Sequence, residues 1–194
     1  MSEERERVRL FVALELPRDA RAMLVEWRER VPGGREELRL LAPESLHVTL
    51  CFLGWRWADE IPAIAAATEV VGSLPAAELV IGPPVWLPPN RPRVLAVELE
   101  DRGEALGRAQ AALSRVLAAG GWFVAEKRPF FAHVTVARVR KDARVRDKEL
   151  PGPPVEALRA TTITLFRSRL QRGGAQYEAL HSVQLGSSRA TRPG

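Results

Sequence analysis

Apolar residues along this 194-residue chain fall into short runs and helical stripes separated by Pro- and Gly-rich punctuation. Leu10-Phe-Val-Ala-Leu-Glu-Leu16, ended by Pro17, is short and almost wholly apolar, which predicts a buried strand. From Arg18 to Val31 the residues Ala22, Met23, Val25, Trp27 and Val31 sit among Arg and Glu until Pro32-Gly33-Gly34 interrupts, which predicts a helix. Pro43-Glu-Ser45 turns the chain into a second apolar strand, Leu46-His-Val-Thr-Leu-Cys-Phe-Leu53, closed by Gly54. Ala58 to Val71 is Ala-rich and reads as helix.

The same order recurs after the Pro-rich stretch Gly82-Pro-Pro-Val-Trp-Leu-Pro-Pro89. Val94-Leu-Ala-Val-Glu-Leu99 predicts a strand, Gly103 to Ala119 an amphipathic helix stopped by Gly120-Gly121, and Phe131-Ala-His-Val-Thr-Val136 another strand. Phe11-Val-Ala-Leu-Glu-Leu16 and Val94-Leu-Ala-Val-Glu-Leu99 are offset by 83 positions, and His47 and His133 by 86. Offsets that agree this closely imply two copies of one strand–helix–strand unit, each with His-x-Thr on its last strand. The repeats span roughly 9–81 and 92–140. Thr161-Thr-Ile-Thr-Leu-Phe166 then predicts a strand, Arg167 to Gly174 a basic turn, and Tyr177-Glu-Ala-Leu180 the hairpin partner, giving a C-terminal hairpin over 161–186. The expected organisation is one bilobal domain over 1–186 with a flexible tail over 187–194.

A net charge of +5 favours polyanionic partners, although all but three of the 29 basic residues are arginine, which codon usage explains as readily as phosphate recognition. No apolar run approaches the roughly 20 residues that span a bilayer, and the charged start Met1-Ser-Glu-Glu-Arg5 carries no signal pattern. The reading is a soluble, cytoplasmic protein without membrane association. The single cysteine, Cys51, excludes an internal disulfide.

Strand alternation puts His47 and Thr49 on one face and Leu46, Val48 and Leu50 on the other; His133 and Thr135 repeat this against Val134 and Val136. Two histidines flanking one phosphate can divide an in-line displacement, one withdrawing a proton from the nucleophile and the other donating one to the leaving oxygen. The threonine hydroxyls can donate to the non-bridging oxygens as charge builds in the transition state. Either motif alone is a pattern that many structural strand histidines satisfy; two of three histidines at equivalent places is a different observation. A zinc reading lacks ligands, since neither motif has Asp, Glu or Cys at ligand spacing; no metal and no cofactor are expected. His181 lies outside the repeats and reads as structural.

With these motifs, the chain resembles the two-histidine (2H) phosphoesterase superfamily, specifically the bacterial and archaeal RNA 2′,3′-cyclic phosphodiesterases, also called 2′-5′ RNA ligases. The similarity runs through Arg9-Leu-Phe-Val-Ala-Leu-Glu-Leu-Pro17, His47-Val-Thr-Leu-Cys-Phe-Leu-Gly54, Arg128-Pro-Phe-Phe-Ala-His-Val-Thr-Val-Ala-Arg138, and Phe166-Arg-Ser-Arg-Leu with Gly173-Gly-Ala-Gln-Tyr177. One departure is Ala132, where the family often has Pro. The resemblance implies an α+β fold with pseudo-twofold duplication, two antiparallel sheets lining a central cleft and helices outside. It also implies hydrolysis of a terminal 2′,3′-cyclic phosphate to a 2′-phosphate, with His47 as proton donor to the 3′ oxygen and His133 as acceptor from water; the half-sites themselves are too alike to assign these roles.

Arg128 and Arg138 flank the second motif and could bind phosphate, both out of phase with His133 in a regular strand; a turn at Pro129 would bring Arg128 round more easily. Phe52, Trp55, Trp57, Phe130 and Tyr177 are candidates for stacking RNA bases, with Phe52 out of phase with His47. Expected partners are RNA ends bearing a 2′,3′-cyclic phosphate or small cyclic nucleotides, bound by a monomer. Two other readings compete. Microscopic reversibility lets the same histidines join a cyclic phosphate to a 5′-hydroxyl as a 2′-5′ RNA ligase acting on tRNA halves. A non-catalytic RNA- or nucleotide-binding module needs no paired titratable groups.

Overall fold

Successive side chains of a strand point to opposite faces of its sheet. In β1 (Arg7–Glu15), Val8, Leu10, Val12 and Leu14 enter the apolar core while Arg9, Phe11, Ala13 and Glu15 occupy the opposite face. The computed structural model describes residues 6–171 and 174–186, so the tail expected over 187–194 lies outside the described residues. After β1 come α1 (Arg18–Arg30), β2 (Leu38–Leu40), β3 (His47–Trp57), α2 (Ile61–Thr68), β4 (Ala77–Leu87), β5 (Val94–Glu100), α3 (Ala105–Ala119), β6 (His133–Val139), β7 (Ala157–Ala160), β8 (Thr162–Gln171) and β9 (Gly174–Gln184).

The strands form two antiparallel sheets, ordered β3-β1-β8-β9 and β2-β6-β5-β4-β7, and the architecture is α+β. The long helices cover the apolar sheet faces. α3 buries Ala105, Leu106, Ala109, Leu113 and Leu117 at helical spacing, and each fully buried leucine contributes about 1.5–3 kcal/mol. α1 buries Ala20, Leu24 and Trp27, and the Trp27 indole N–H donates to the Pro151 carbonyl at 3.0 Å. Among the described residues no helix is long and apolar enough to cross a membrane.

Sheet membership does not follow the contiguous segments 9–81 and 92–140. β2 and β4 both lie in the sheet that holds β5 and β6, and β8 pairs with β1. Three strands have no counterpart in the sequence pattern: β2 and β7 are too short to show one, and β4 contains Gly82-Pro83-Pro84. The prolines are tolerated because β7 pairs only with Ala77 to Val80, and the ladder to β5 is interrupted between Ile81 and Pro84. Likewise, Arg167 to Gln171 are strand rather than turn. Arg167 pairs with Glu6, and Arg169 reaches Glu178 on β9 at 2.8 Å, so charge that resembled a turn is held by ion pairs to the neighbouring chain segments.

Candidate active site

Both His-x-Thr motifs open a strand that pairs with an antiparallel neighbour in the same register. Glu15 faces His47 and Ala13 faces Thr49 in one sheet; Glu98 faces His133 and Ala96 faces Thr135 in the other. The next step breaks both ladders identically. Val12 pairs with Cys51 and Leu95 with Ala137, leaving Leu50 and Val136 each as one extra residue, a β-bulge. Leu50 and Cys51 are consequently both buried, as are Val136 and Ala137.

The bulges change which residues share the histidine face. In a regular strand Phe52 and Arg138 point away; beyond the extra residue they return to the side of His47 and His133, and both line the central cavity. Phe52 is 47% exposed, with the Arg9 guanidinium 4.8 Å from its ring centre. The out-of-phase expectation for both residues is thereby corrected. Cys51 stays on the core side, and burial pushes its thiol up to about 12, which leaves it no nucleophilic character at neutral pH.

The two imidazoles are held alike but enclosed differently. His133 donates from Nδ1 to the Phe131 carbonyl at 2.8 Å, which leaves Nε2 free for chemistry. His47 is hydrogen-bonded to the backbone of Ser45, also two residues upstream, while its Nε2 lies 3.1 Å from Thr49 Oγ1. His47 sits in an aromatic box, with Phe11 stacked on it at 4.9 Å between ring centres and Tyr177 edge-on at 5.3 Å, whereas His133 has one ring against it, Phe131, stacked at 5.5 Å. This burial, opposed by the Ser45 bond and reinforced by the positive charges of Arg21, His133 and Arg138, pushes its pKa down from 6.5 to about 4. His47 is therefore neutral in the unliganded protein at pH 7.

The cavity has a volume of about 580 Å³ and takes in His47, Thr49, His133 and Thr135 together. Its cationic residues are Arg9, Arg39 and Arg138, and among the described residues no carboxylate lines it, so it is suited to an anion. Tyr177 belongs to the lining, as expected. Arg128 does not: it is exposed in a bend five residues ahead of β6, outside the cavity. Trp55 is 51% exposed beyond the cavity, Phe130 packs against the core, and Trp57 carries the Arg7 guanidinium over its ring at 5.4 Å. His181 ties β9 to Glu69 at 2.6 Å, away from the motifs.

Sequence reasoning missed Arg9, Arg39, Phe11 and Ser168. Arg9 and Phe11 carry a signal, because alternation in β1 puts both on the face of Glu15, opposite His47. Arg39 lies on a strand of three residues paired to Arg138, a long-range neighbour with no local signature.

Comparison with known proteins agrees with this geometry. No family model matches the chain. It is 31% identical over 202 residues to a protein from Thermus thermophilus named RNA 2′,3′-cyclic phosphodiesterase, covering 96% of this chain and 97% of the relative. A protein of that name from Escherichia coli is 29% identical over 175 residues, covering 89% and 93%. The crystal structure of Escherichia coli LigT complexed with 3′-AMP superposes with a TM-score of 0.79 at 27% identity, covering 93% of this chain and 99% of that one.

The aromatic box makes a titration prediction. By NMR the His47 ring titrates near pH 4 in the unliganded protein, and Phe11→Ala moves it up toward 6.5. Between those values the unfolded chain binds a proton at His47 that the folded chain does not, so stability falls as pH is lowered through this window. The denaturation midpoint of the wild type should fall relative to that of His47→Gln as pH drops from 6.5 to 4; parallel curves would remove the depressed pKa.

Proposed function

The chain belongs to the RNA 2′,3′-cyclic phosphodiesterase family, and on that premise we propose that its cavity opens the cyclic phosphate of an RNA end by acid–base catalysis divided between His47 and His133. It is an enzyme, a phosphoric diester hydrolase. The observation that carries the mechanism is the matched register of the two motifs, which turns two imidazoles and two threonine hydroxyls onto one carboxylate-free cavity.

In the proposed reaction His133 Nε2 takes a proton from water as the water oxygen forms its bond to phosphorus. The phosphorus–O3′ bond breaks in line, and His47 delivers a proton to O3′, leaving a 2′-phosphate and a 3′-hydroxyl. Thr49, Thr135 and Arg138 hold the non-bridging oxygens, where negative charge is concentrated. Phe52, with Arg9 against its ring, offers a platform on which the terminal base stacks, and Tyr177 closes the side next to His47.

The donor role places a demand on His47, which is neutral in the empty site. A cyclic phosphodiester carries one negative charge, and its arrival beside the imidazole offsets the burial and the repulsion from Arg138 and His133. Protonation of His47 is then coupled to substrate binding. Return of a proton from His133 to solvent and uptake of one by His47 complete the cycle.

Hydrolysis of nucleoside 2′,3′-cyclic monophosphates in excess EDTA, with the product identified by phosphorus NMR, should yield the 2′-phosphate. His47→Ala and His133→Ala should remain folded and each lose about 10²–10⁴ in kcat. Full activity in either variant, or turnover abolished by EDTA, would contradict the mechanism. Phe52→Ala should raise KM by roughly 5- to 150-fold, the range of about 1–3 kcal/mol for a stacked base, with kcat little changed. A fall in kcat at unchanged KM would remove the platform.

A further inference from the structure

A second concavity of about 560 Å³ opens at the far end of β5 and β6, and none of its residues belongs to the catalytic cavity. Arg91 and Arg93, from the β4–β5 connection, form one wall; Arg140, Lys141 and Arg144, from the segment after β6, form the other. All five are exposed, and Asp142 is the sole carboxylate of the lining among the described residues. Among the described residues Arg91, Arg93, Lys141 and Arg144 make no ion pair, so the groove keeps an excess of positive charge over the single Asp142.

The walls are fixed by backbone. Arg93 N–H donates to Leu87 at 2.8 Å, Val139 N–H to Arg93 at 2.9 Å and Ala143 N–H to Arg140 at 3.1 Å. Arg140 is anchored twice more, its backbone N–H on Glu37 at 2.8 Å and its Nε on Glu36 at 2.9 Å. Five like charges gathered on a rigid frame repel one another, a cost that an incoming polyanion removes.

We propose that this groove binds the phosphodiester backbone of the single RNA strand whose cyclic terminus lies at the histidines. Two features favour a strand over a lone phosphate. The cations are exposed and spread along two walls instead of converging on one buried point, which fits a chain of phosphates. The groove also continues the catalytic strand: Arg138 lines the catalytic cavity, and Val139 and Arg140 follow it directly into the groove. At about 3.3 Å per residue, Arg140, the first residue after β6, lies about 23 Å along the chain from His133. A stacked strand advances about 3.4 Å per nucleotide, so the groove meets the backbone about seven nucleotides from the terminus. The cyclic monophosphate fits the catalytic cavity alone, whereas the RNA uses both.

The inference rests on the hydrolase reading for the position of the terminus, and its test separates the two. Lys141→Ala/Arg144→Ala, and separately Arg91→Ala, would be compared with the wild type on cytidine 2′,3′-cyclic monophosphate and on a single-stranded RNA of about 12 nucleotides ending in a cyclic phosphate. Binding of the same RNA ending in a 3′-hydroxyl would be followed by fluorescence anisotropy against salt. Each variant should bind the RNA about tenfold more weakly and raise its KM similarly, with kcat and both mononucleotide constants unchanged. The salt slope should fall by about 0.7 for each phosphate that a variant leaves without its cation. RNA binding and KM equal to wild type, or equal losses on the mononucleotide, would overturn the groove. Should the wild type turn over neither substrate, the hydrolase reading fails, and the anisotropy comparison alone decides the groove.

Discussion

The extra residue that directly follows each His-x-Thr, Leu50 in one strand and Val136 in the other, is what the geometry of the site depends on. A strand alternates its side chains without exception, so His-x-Thr can present only every second position until something breaks the period. The bulge breaks it immediately after the threonine. It burdens the core with two consecutive apolar residues, Leu50-Cys51 and Val136-Ala137, and returns Phe52 and Arg138 to the histidine side. An imidazole, a hydroxyl and a third functional side chain thus come from six consecutive residues in each half.

Symmetry at the backbone is combined with asymmetry in the side chains. Position for position, Phe11 faces Phe52 where Val94 faces Arg138. The His47 half packs Phe11 and Tyr177 around its imidazole, whereas the His133 half has the single ring of Phe131 there and Arg138 at the place of Phe52. Reciprocal acid–base chemistry requires two imidazoles in different protonation states, and different surroundings are the means by which a duplicated motif achieves that. The aromatic box depresses the pKa of His47, and in the proposed reaction the charge of the bound phosphate raises it again.

Much of this was legible in the residues. The near-equal offsets of the apolar strands and the histidines reveal the duplication, and the three-residue discrepancy lies in the connections, since Glu15 faces His47 as Glu98 faces His133. Strand alternation alone places His47, Thr49, His133 and Thr135. The bulges were not legible: Leu50-Cys51 reads as two more residues of an apolar run, and only the partner strand shows that one of them is unpaired. The same cause hid the reach of Arg138 and favoured Arg128 instead. β4 was hidden because Gly82-Pro83-Pro84 are strand breakers unless the ladder is already interrupted where they fall. Arg39 reaches the cavity through a strand too short to announce itself.

The division of labour between the histidines is tested most directly by a substrate whose leaving group needs no acid. Replacing O3′ of the cyclic phosphate by sulfur gives a thiolate leaving group, of pKa about 8.5 for a thiol, which departs without protonation. Single-turnover hydrolysis of this substrate should proceed at close to the wild-type rate in His47→Ala and remain about 10²-fold or more impaired in His133→Ala. Equal impairment of both variants, or rescue of His133→Ala, would contradict the assignment of donor and acceptor.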